Sequence, residues 1–277
     1  MQTILFRLGP FSISLFGTFI ALGIAAGLYI LNQEAKRKKL DQDEVLNLAI
    51  YSIIAAVVGA RLYYILVFNP AYYLNNLNEI IMINQGGLSI QGGLLGAILF
   101  AWFYVRRKKL SFWKLADTFA PAIILGQAIG RIGCDVFGVV MKKAYPWGAK
   151  IGGQLLHPAQ AYEIILNYLL FAILWNRRDK VKYNGQLFLW YIIGFSINRG
   201  IVEFFRSNPV VFKPFTVVHL TSFVIILIAI AIKIIMKNKS QNQAMKLNSI
   251  NNKSKSRDNL IILVAMLVSI LAYYSFY

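Results

Sequence analysis

Eight apolar runs alternate with short polar stretches along the chain. They are Phe11–Leu31, Asn47–Phe68, Leu88–Val105, Leu115–Gly133, Pro158–Trp175, Leu187–Arg206, Phe215–Met236 and Leu260–Phe276. A helix needs about 20 apolar residues to cross a hydrocarbon core, so the pattern predicts an all-α polytopic membrane protein. The first seven runs follow one another with modest connections and define an expected core, residues 1–236. The segment Lys237–Asn259, rich in Lys, Asn, Ser and Gln, reads as a flexible basic cytoplasmic linker. Residues 260–277 then supply an additional C-terminal transmembrane helix, an expected appendage. Because every candidate polar site residue lies earlier, removal of Lys246–Tyr277 is expected to leave activity intact. No internal repeat is visible, which weighs against an inverted-repeat transporter.

Composition sharpens this picture. The 277 residues are 58% hydrophobic and carry a formal net charge of +18. That charge could suggest nucleic acid, but its placement argues for a membrane and against a nucleic-acid partner. Four Lys or Arg lie in Lys36–Lys39, five in Arg106–Lys114, four in Arg177–Lys182 and seven in Lys233–Arg257. These are alternate loops of an eight-span chain, and the positive-inside rule makes them cytoplasmic. The N-terminus is then outside, and the expected location is a bacterial plasma membrane. Met1–Phe16 lacks a charged region followed by a small-residue cleavage site, so the first run reads as a retained helix. A single cysteine, Cys134, and two histidines, His157 and His219, offer neither an intrachain disulfide nor a metal cluster. No cofactor is expected.

The candidate chemistry begins in FSINRGIVEFFR. Arg199, Glu203 and Arg206 recur at i, i+4 and i+7, which places them on one face of a helix. An ionisable group near the bilayer centre costs about 2.5–3.5 kcal/mol even on insertion scales, so such residues face a polar site or a partner. At about 1.5 Å of rise per residue, other polar residues fall at a similar depth. Arg61 lies in VVGARLYY, Gln91 in QGGLSIQGGLLG, Arg131 in GQAIGRIGCDVFG, and His157, Gln160 and Glu163 in LLHPAQAYE. Five helices would thus converge on a site in the outer leaflet. A guanidinium stays charged in a low dielectric and offers a planar fork of donors matched to phosphate oxygens. Several together make an anion site at the depth of a phospholipid headgroup.

Blander readings stand beside this one. Glycines in membrane helices are mostly packing devices, and an isolated Arg can pair with Glu163 or Glu203 for structure alone. Cys134 reads as a small buried residue and His219 as interfacial rather than catalytic. The long connections Asn69–Gly87 and Cys134–His157 are candidate lids above the site. An anion or lipid transporter would also hold intramembrane arginines.

In GARLYY, GGLSIQGGLLG, GQAIGRIG, HPAQAYE and RGIVEFFR, taken in order from the first run through Met236, the chain resembles the prolipoprotein diacylglyceryl transferases. The resemblance implies a seven-helix core that uses phosphatidylglycerol as donor and the lipobox cysteine of prolipoproteins as acceptor. The sn-1,2-diacylglyceryl group would pass to the thiol as a thioether and glycerol-1-phosphate would leave. Arg131 matches the family's phosphatidylglycerol-binding arginine and Arg199 an arginine held essential, with Glu203 orienting it. His157 matches the family's HP-x-Q-x-YE histidine, and Arg61, Gln91, Gln160, Glu163 and Arg206 fall among the expected substrate-binding residues. The chain also departs from the pattern. Gln91 stands where the family has a histidine, and glutamine is no general base near neutral pH. Phe16 and Phe195 replace two tyrosines. Cys134, Asp135 and the Val136 to Val139 stretch replace a family Asn and a later Asn-Gly-Glu. His157 or Asp135 could serve as base, or a lipobox thiol beside several arginines could need none. A relative that binds the lipid but transfers another group, or none, is the rival reading that these departures suggest.

Overall fold

The computed structural model describes residues 4–8, 11–68, 70–82, 86–240 and 255–277. Each of the eight predicted runs coincides with a helix of 18 or more residues, and the chain is an all-α membrane protein with three small β-hairpins among the described residues. In chain order the long helices are α1 (Leu15–Arg37), α2 (Gln42–Phe68), α4 (Ile90–Arg107), α5 (Phe112–Gly130), α6 (Ala159–Arg177), α7 (Gln186–Glu203), α8 (Val217–Ser240) and α9 (Lys255–Phe276), with the short α3 (Pro70–Asn75) after α2. Four stretches, Leu15–Arg37, Gln42–Phe68, Val217–Lys237 and Ser256–Phe276, are long and apolar enough to cross a membrane.

Several predicted edges move. The first apolar run opens as a strand, because Phe11 and Ile13 alternate with Ser12 and Ser14. That period of two suits β2 (Phe11–Ser14), paired antiparallel with β1 (Ile4–Leu8). The linker expected over Lys237–Asn259 is helical at both described ends, since α8 continues to Ser240 and α9 begins at Lys255. The rest of the predicted linker, residues 241–254, lies outside the described residues. The run Leu187–Arg206 is helical only to Glu203. Phe205 N–H donates to the Val202 carbonyl and Arg206 N–H to the Glu203 carbonyl, a 3-10 tightening that ends the helix ahead of Asn208-Pro209. Arg206 therefore lies beyond the helix rather than at its i+7 position.

The described chain divides into two compact units, Leu31–Leu115 and Met1–Ile30 with Ala116–Tyr277. In the first of these, α2 and α4 approach through glycines. A Cβ on Gly59 would sit 2.6 Å from the Gly92 carbonyl oxygen, so small residues set the separation of the two backbones. In the second, Ala120, Ile124 and Ala128 of α5, Ile164, Tyr168, Phe171 and Leu174 of α6, and Leu187 and Tyr191 of α7 share one core with Ile262 and Tyr273 of α9. The α7 N-terminus is capped across the unit by Asp117 of α5. Its buried carboxylate accepts the Gly185 N–H at 2.7 Å and the Phe188 N–H at 2.8 Å, satisfying donors that a helix leaves free and sitting at the positive end of its dipole. Within α6 and α7, Asn198 Nδ2 donates to the Leu166 carbonyl at 3.0 Å and to Asn167 Oδ1 at 3.3 Å. These bonds hold α6 and α7 together at the level just below Arg199.

Candidate active site

Past Gly130, α5 tightens into a 3-10 turn over Arg131–Gly133. Gly133 is required there, because a Cβ would lie 2.6 Å from the Leu15 carbonyl oxygen. The turn aims Arg131 at Glu163, one turn into α6, with Arg131 Nη2 and Glu163 Oε1 2.9 Å apart. The other oxygen of Glu163 lies 4.0 Å from Arg199 Nη1, and Arg199 Nη2 lies 3.4 Å from Glu203 Oε2. Arg131, Glu163, Arg199 and Glu203 therefore form one alternating chain of charges drawn from the α5 turn, α6 and α7. Both carboxylates are buried, at 2% and 1% exposure, whereas Arg131 and Arg199 remain partly exposed. Arg206 makes no ion pair within 4 Å among the described residues, yet it stands within electrostatic reach of all four. Three guanidinium groups thus face two carboxylates.

Arg131 is held closely by Glu163, whereas Arg199 meets it loosely. Glu163 Oε2 and Arg199 Nη1 are buried without a hydrogen bond among the described residues, and so is Glu203 Oε2. Buried ionic groups are ordinarily satisfied, so of these three atoms Arg199 Nη1 is the one donor left without a hydrogen bond, opposite two carboxylate oxygens in the same state. Glu203 itself is fixed at its other oxygen, which accepts from Asn208 Nδ2 at 2.7 Å and Thr216 Oγ1 at 2.9 Å. Thr216 N–H also donates to His219 Nδ1 at 3.1 Å. Asn208, Thr216 and His219 were not in the sequence-based site. Asn208 and Thr216 follow α7 in an irregular stretch and in a short strand, Phe215–Thr216, where nothing in hydropathy marks a carboxylate's partner.

Around Arg131 the turn is pinned twice. Arg131 Nη1 donates to Cys134 Sγ at 3.6 Å, and the buried Gln160 Nε2 donates to the Cys134 carbonyl at 3.0 Å. Cys134 is buried, as expected of it. His157 lies beside Tyr162 and Phe205, its Nδ1 3.2 Å from the Tyr162 hydroxyl and its ring centroid 5.1 Å from that of Phe205. The connection expected as a lid, Cys134–His157, folds into the hairpin of β3 (Ala149–Ile151) and β4 (Gln154–Leu156). It is tied back through Gly138 N–H to the His157 carbonyl and Val139 N–H to the Phe205 carbonyl.

Arg61 and Gln91 belong to the other unit. Arg61 directs its guanidinium at four backbone carbonyls, those of Glu79, Ile80, Gly86 and Gly87, and lies over the Tyr73 ring at 5.1 Å. This ties Glu79, Ile80, Gly86 and Gly87 to α2. Arg61→Lys keeps the charge but not the planar fork, and it is expected to accelerate limited proteolysis between Pro70 and Gly87 by several-fold; an unchanged cleavage rate would refute that role. Gln91 is exposed and accepts from Ser89 Oγ at 2.7 Å.

The described residues thus form a helical membrane protein holding a partly buried cluster of three arginines and two carboxylates. The family model for prolipoprotein diacylglyceryl transferase matches residues 3–235. Among curated relatives, the phosphatidylglycerol–prolipoprotein diacylglyceryl transferase of Clostridioides difficile (strain 630) is 35% identical over 244 residues, covering 87% of this chain and 98% of the relative. Those of Bacillus mycoides (strain KBAB4) and Finegoldia magna (strain ATCC 29328 / DSM 20472 / WAL 2508) are 33% and 34% identical over 255 and 246 residues. They cover 87% and 86% of this chain, and 94% and 97% of the respective relatives. The chain belongs to the prolipoprotein diacylglyceryl transferase family.

Proposed function

We propose that the chain transfers the diacylglyceryl group of phosphatidylglycerol to the lipobox cysteine of prolipoproteins, at the outer leaflet of a bacterial plasma membrane that its eight long helices cross with the N-terminus outside. The observation that carries this reading is the excess positive charge of Arg131, Arg199 and Arg206 over Glu163 and Glu203. The family membership supports it.

The chemistry asks for such a cluster. The substrate sulfur attacks the diacylglyceryl methylene carbon as a C–S bond forms, and the C–O bond to phosphate breaks with its electron pair going to oxygen. A phosphodiester carrying one negative charge becomes a glycerol phosphate approaching two. Fixed donors aimed at a charge that grows in the transition state lower the barrier without reorganisation. Arg131 and Arg199 are the groups we assign to that charge. Glu163 and Glu203 orient them, and Arg206 adds to the field. Gln160 supports the turn that bears Arg131. The nucleophile belongs to the substrate, which agrees with a chain whose single cysteine is buried. Its proton is released by the positive field, which favours thiolate, so no strong base is required. Single replacement of His157 or Asp135 by Ala is therefore expected to leave measurable turnover; abolition by either, with protein level and lipid binding intact, would identify a base.

The test uses the purified protein in detergent with phosphatidylglycerol and a lipobox peptide, following peptide mass and glycerol phosphate release together. A diacylglyceryl mass gain matched by glycerol phosphate establishes the transfer. Lipid binding without mass gain would favour a phospholipid-binding relative.

A further inference from the structure

We infer that α9, which lies beyond the residues matched by the family model, is a built-in positioning element of the transferase site, acting through Tyr273 on Gln160. This rests on the function proposed above, and it reverses the expectation that the last helix is a dispensable appendage.

The helix runs antiparallel to α6 along its length. Near one end Asp258 Oδ2 accepts from Trp175 Nε1 at 2.9 Å, and Asn176 Nδ2 donates to Asn259 Oδ1 at 2.6 Å. Midway, the Tyr168 and Ser269 hydroxyls lie 2.9 Å apart. At the far end the Tyr273 hydroxyl donates to Gln160 Oε1 at 3.3 Å. Polar contacts at three levels fix the register of a helix that hydropathy alone would leave free to rotate.

The last of these contacts reaches the site. Tyr273 is fully buried and Gln160 is 1% exposed. A buried side-chain amide needs partners on both its oxygen and its nitrogen. Tyr273 supplies the first, and the Cys134 carbonyl takes the second. The relay therefore runs from the α9 hydroxyl, through Gln160, to the end of the 3-10 turn whose first residue, Arg131, pairs with Glu163. Packing reinforces it, with the Tyr277 ring 5.1 Å from Phe137 and the Phe276 ring 6.1 Å from Phe19. A second chain leaves the neighbouring residue. The Tyr274 hydroxyl donates to the Trp147 carbonyl at 2.7 Å, Trp147 Nε1 donates to the Tyr162 hydroxyl at 3.1 Å, and that hydroxyl meets His157. Thus hydrogen bonds from α9 reach the supports of Arg131 and of His157.

The experiment compares Tyr273→Phe with Ser269→Ala in the full-length protein. Each variant deletes one hydroxyl from α9, but only the first lies on the path to Arg131. Kinetics give kcat and KM for transfer from phosphatidylglycerol to a lipobox peptide, a maleimide reports the labelling rate of Cys134, the chain's single cysteine, and the melting temperature reports stability. Tyr273→Phe is expected to lower kcat roughly threefold to tenfold, the range one lost hydrogen bond supports, with little change in KM, and to raise the labelling rate by a similar factor. Ser269→Ala is expected to change neither. An unchanged labelling rate in Tyr273→Phe, an unchanged kcat in an otherwise active enzyme, or equal losses in both variants with equally lowered melting temperatures would overturn the inference. Labelling does not require turnover, so a wild type that transfers nothing while Tyr273→Phe still exposes Cys134 would count against the proposed function and leave the positioning contact standing.

Discussion

Arg199→Ala is expected to reduce transfer by about 100- to 1000-fold in kcat, the scale on which removal of one fixed donor to a growing negative charge is felt. Arg199 is the middle cation of the cluster, 4.0 Å from Glu163 and 3.4 Å from Glu203, and one of its nitrogens is buried without a hydrogen bond among the described residues. A guanidinium held between two carboxylates on a side chain that stays partly exposed is the group we assign to the ligand phosphate. The fold should survive the change. Glu203 keeps Asn208 and Thr216 on its other oxygen, and Glu163 keeps Arg131. Arg199→Lys separates charge from geometry, since an ammonium restores the charge but not the planar fork, and should recover only a small part of the loss. The measurement is glycerol phosphate release alongside peptide mass, with melting temperature as control. A turnover within a few-fold of wild type in Arg199→Ala would remove this residue from the transition state.

How much of this was legible in the sequence depends on the range of the interaction. Arg199 and Glu203 share a helix, so their spacing alone predicts a meeting, and they meet. Arg206, three residues further, was placed on the same face by the same rule, but α7 ends at Glu203 and the periodicity stops with it. The N-terminal hairpin was hidden because a four-residue alternation inside an apolar run leaves its mean hydropathy unchanged. Pairing between helices was less visible still. Depth along the bilayer suggested that Arg131 and Glu163 lie at one level, but depth says nothing about which face each presents. Arg61 shows the consequence, with its fork directed at carbonyls of the Asn69–Gly87 connection. The contact of Tyr273 with Gln160 spans 113 residues of sequence, and hydropathy marks α9 as apolar without saying that Tyr273 faces inward. Polar groups that settle such faces are single hydroxyls and amides, too few to leave a periodic trace.

The second large effect is expected at Glu163, and it differs in kind. Glu163 is 2% exposed and lies between two guanidinium groups, 2.9 Å from Arg131 and 4.0 Å from Arg199. Removing one partner of a buried pair leaves an uncompensated charge at a cost of about 3–5 kcal/mol. In Glu163→Ala that cost falls on two arginines brought together with Arg206 close by. The cluster then holds three cations against Glu203 alone. Glu163→Ala is therefore expected to lower both the melting temperature and the yield of folded protein, and to abolish turnover because Arg131 and Arg199 are no longer held in register. Glu163→Gln preserves shape and one acceptor oxygen, and should fold better while remaining impaired. An anion that fills the cluster can replace part of the missing charge, since a ligand that binds only the folded state stabilises it. Added phosphatidylglycerol should accordingly raise the melting temperature of Glu163→Gln by more than it raises that of wild type. Equal shifts in the two proteins would mean that the lipid headgroup does not contact this cluster, and the assignment of Arg131 and Arg199 to the phosphate would fall with it.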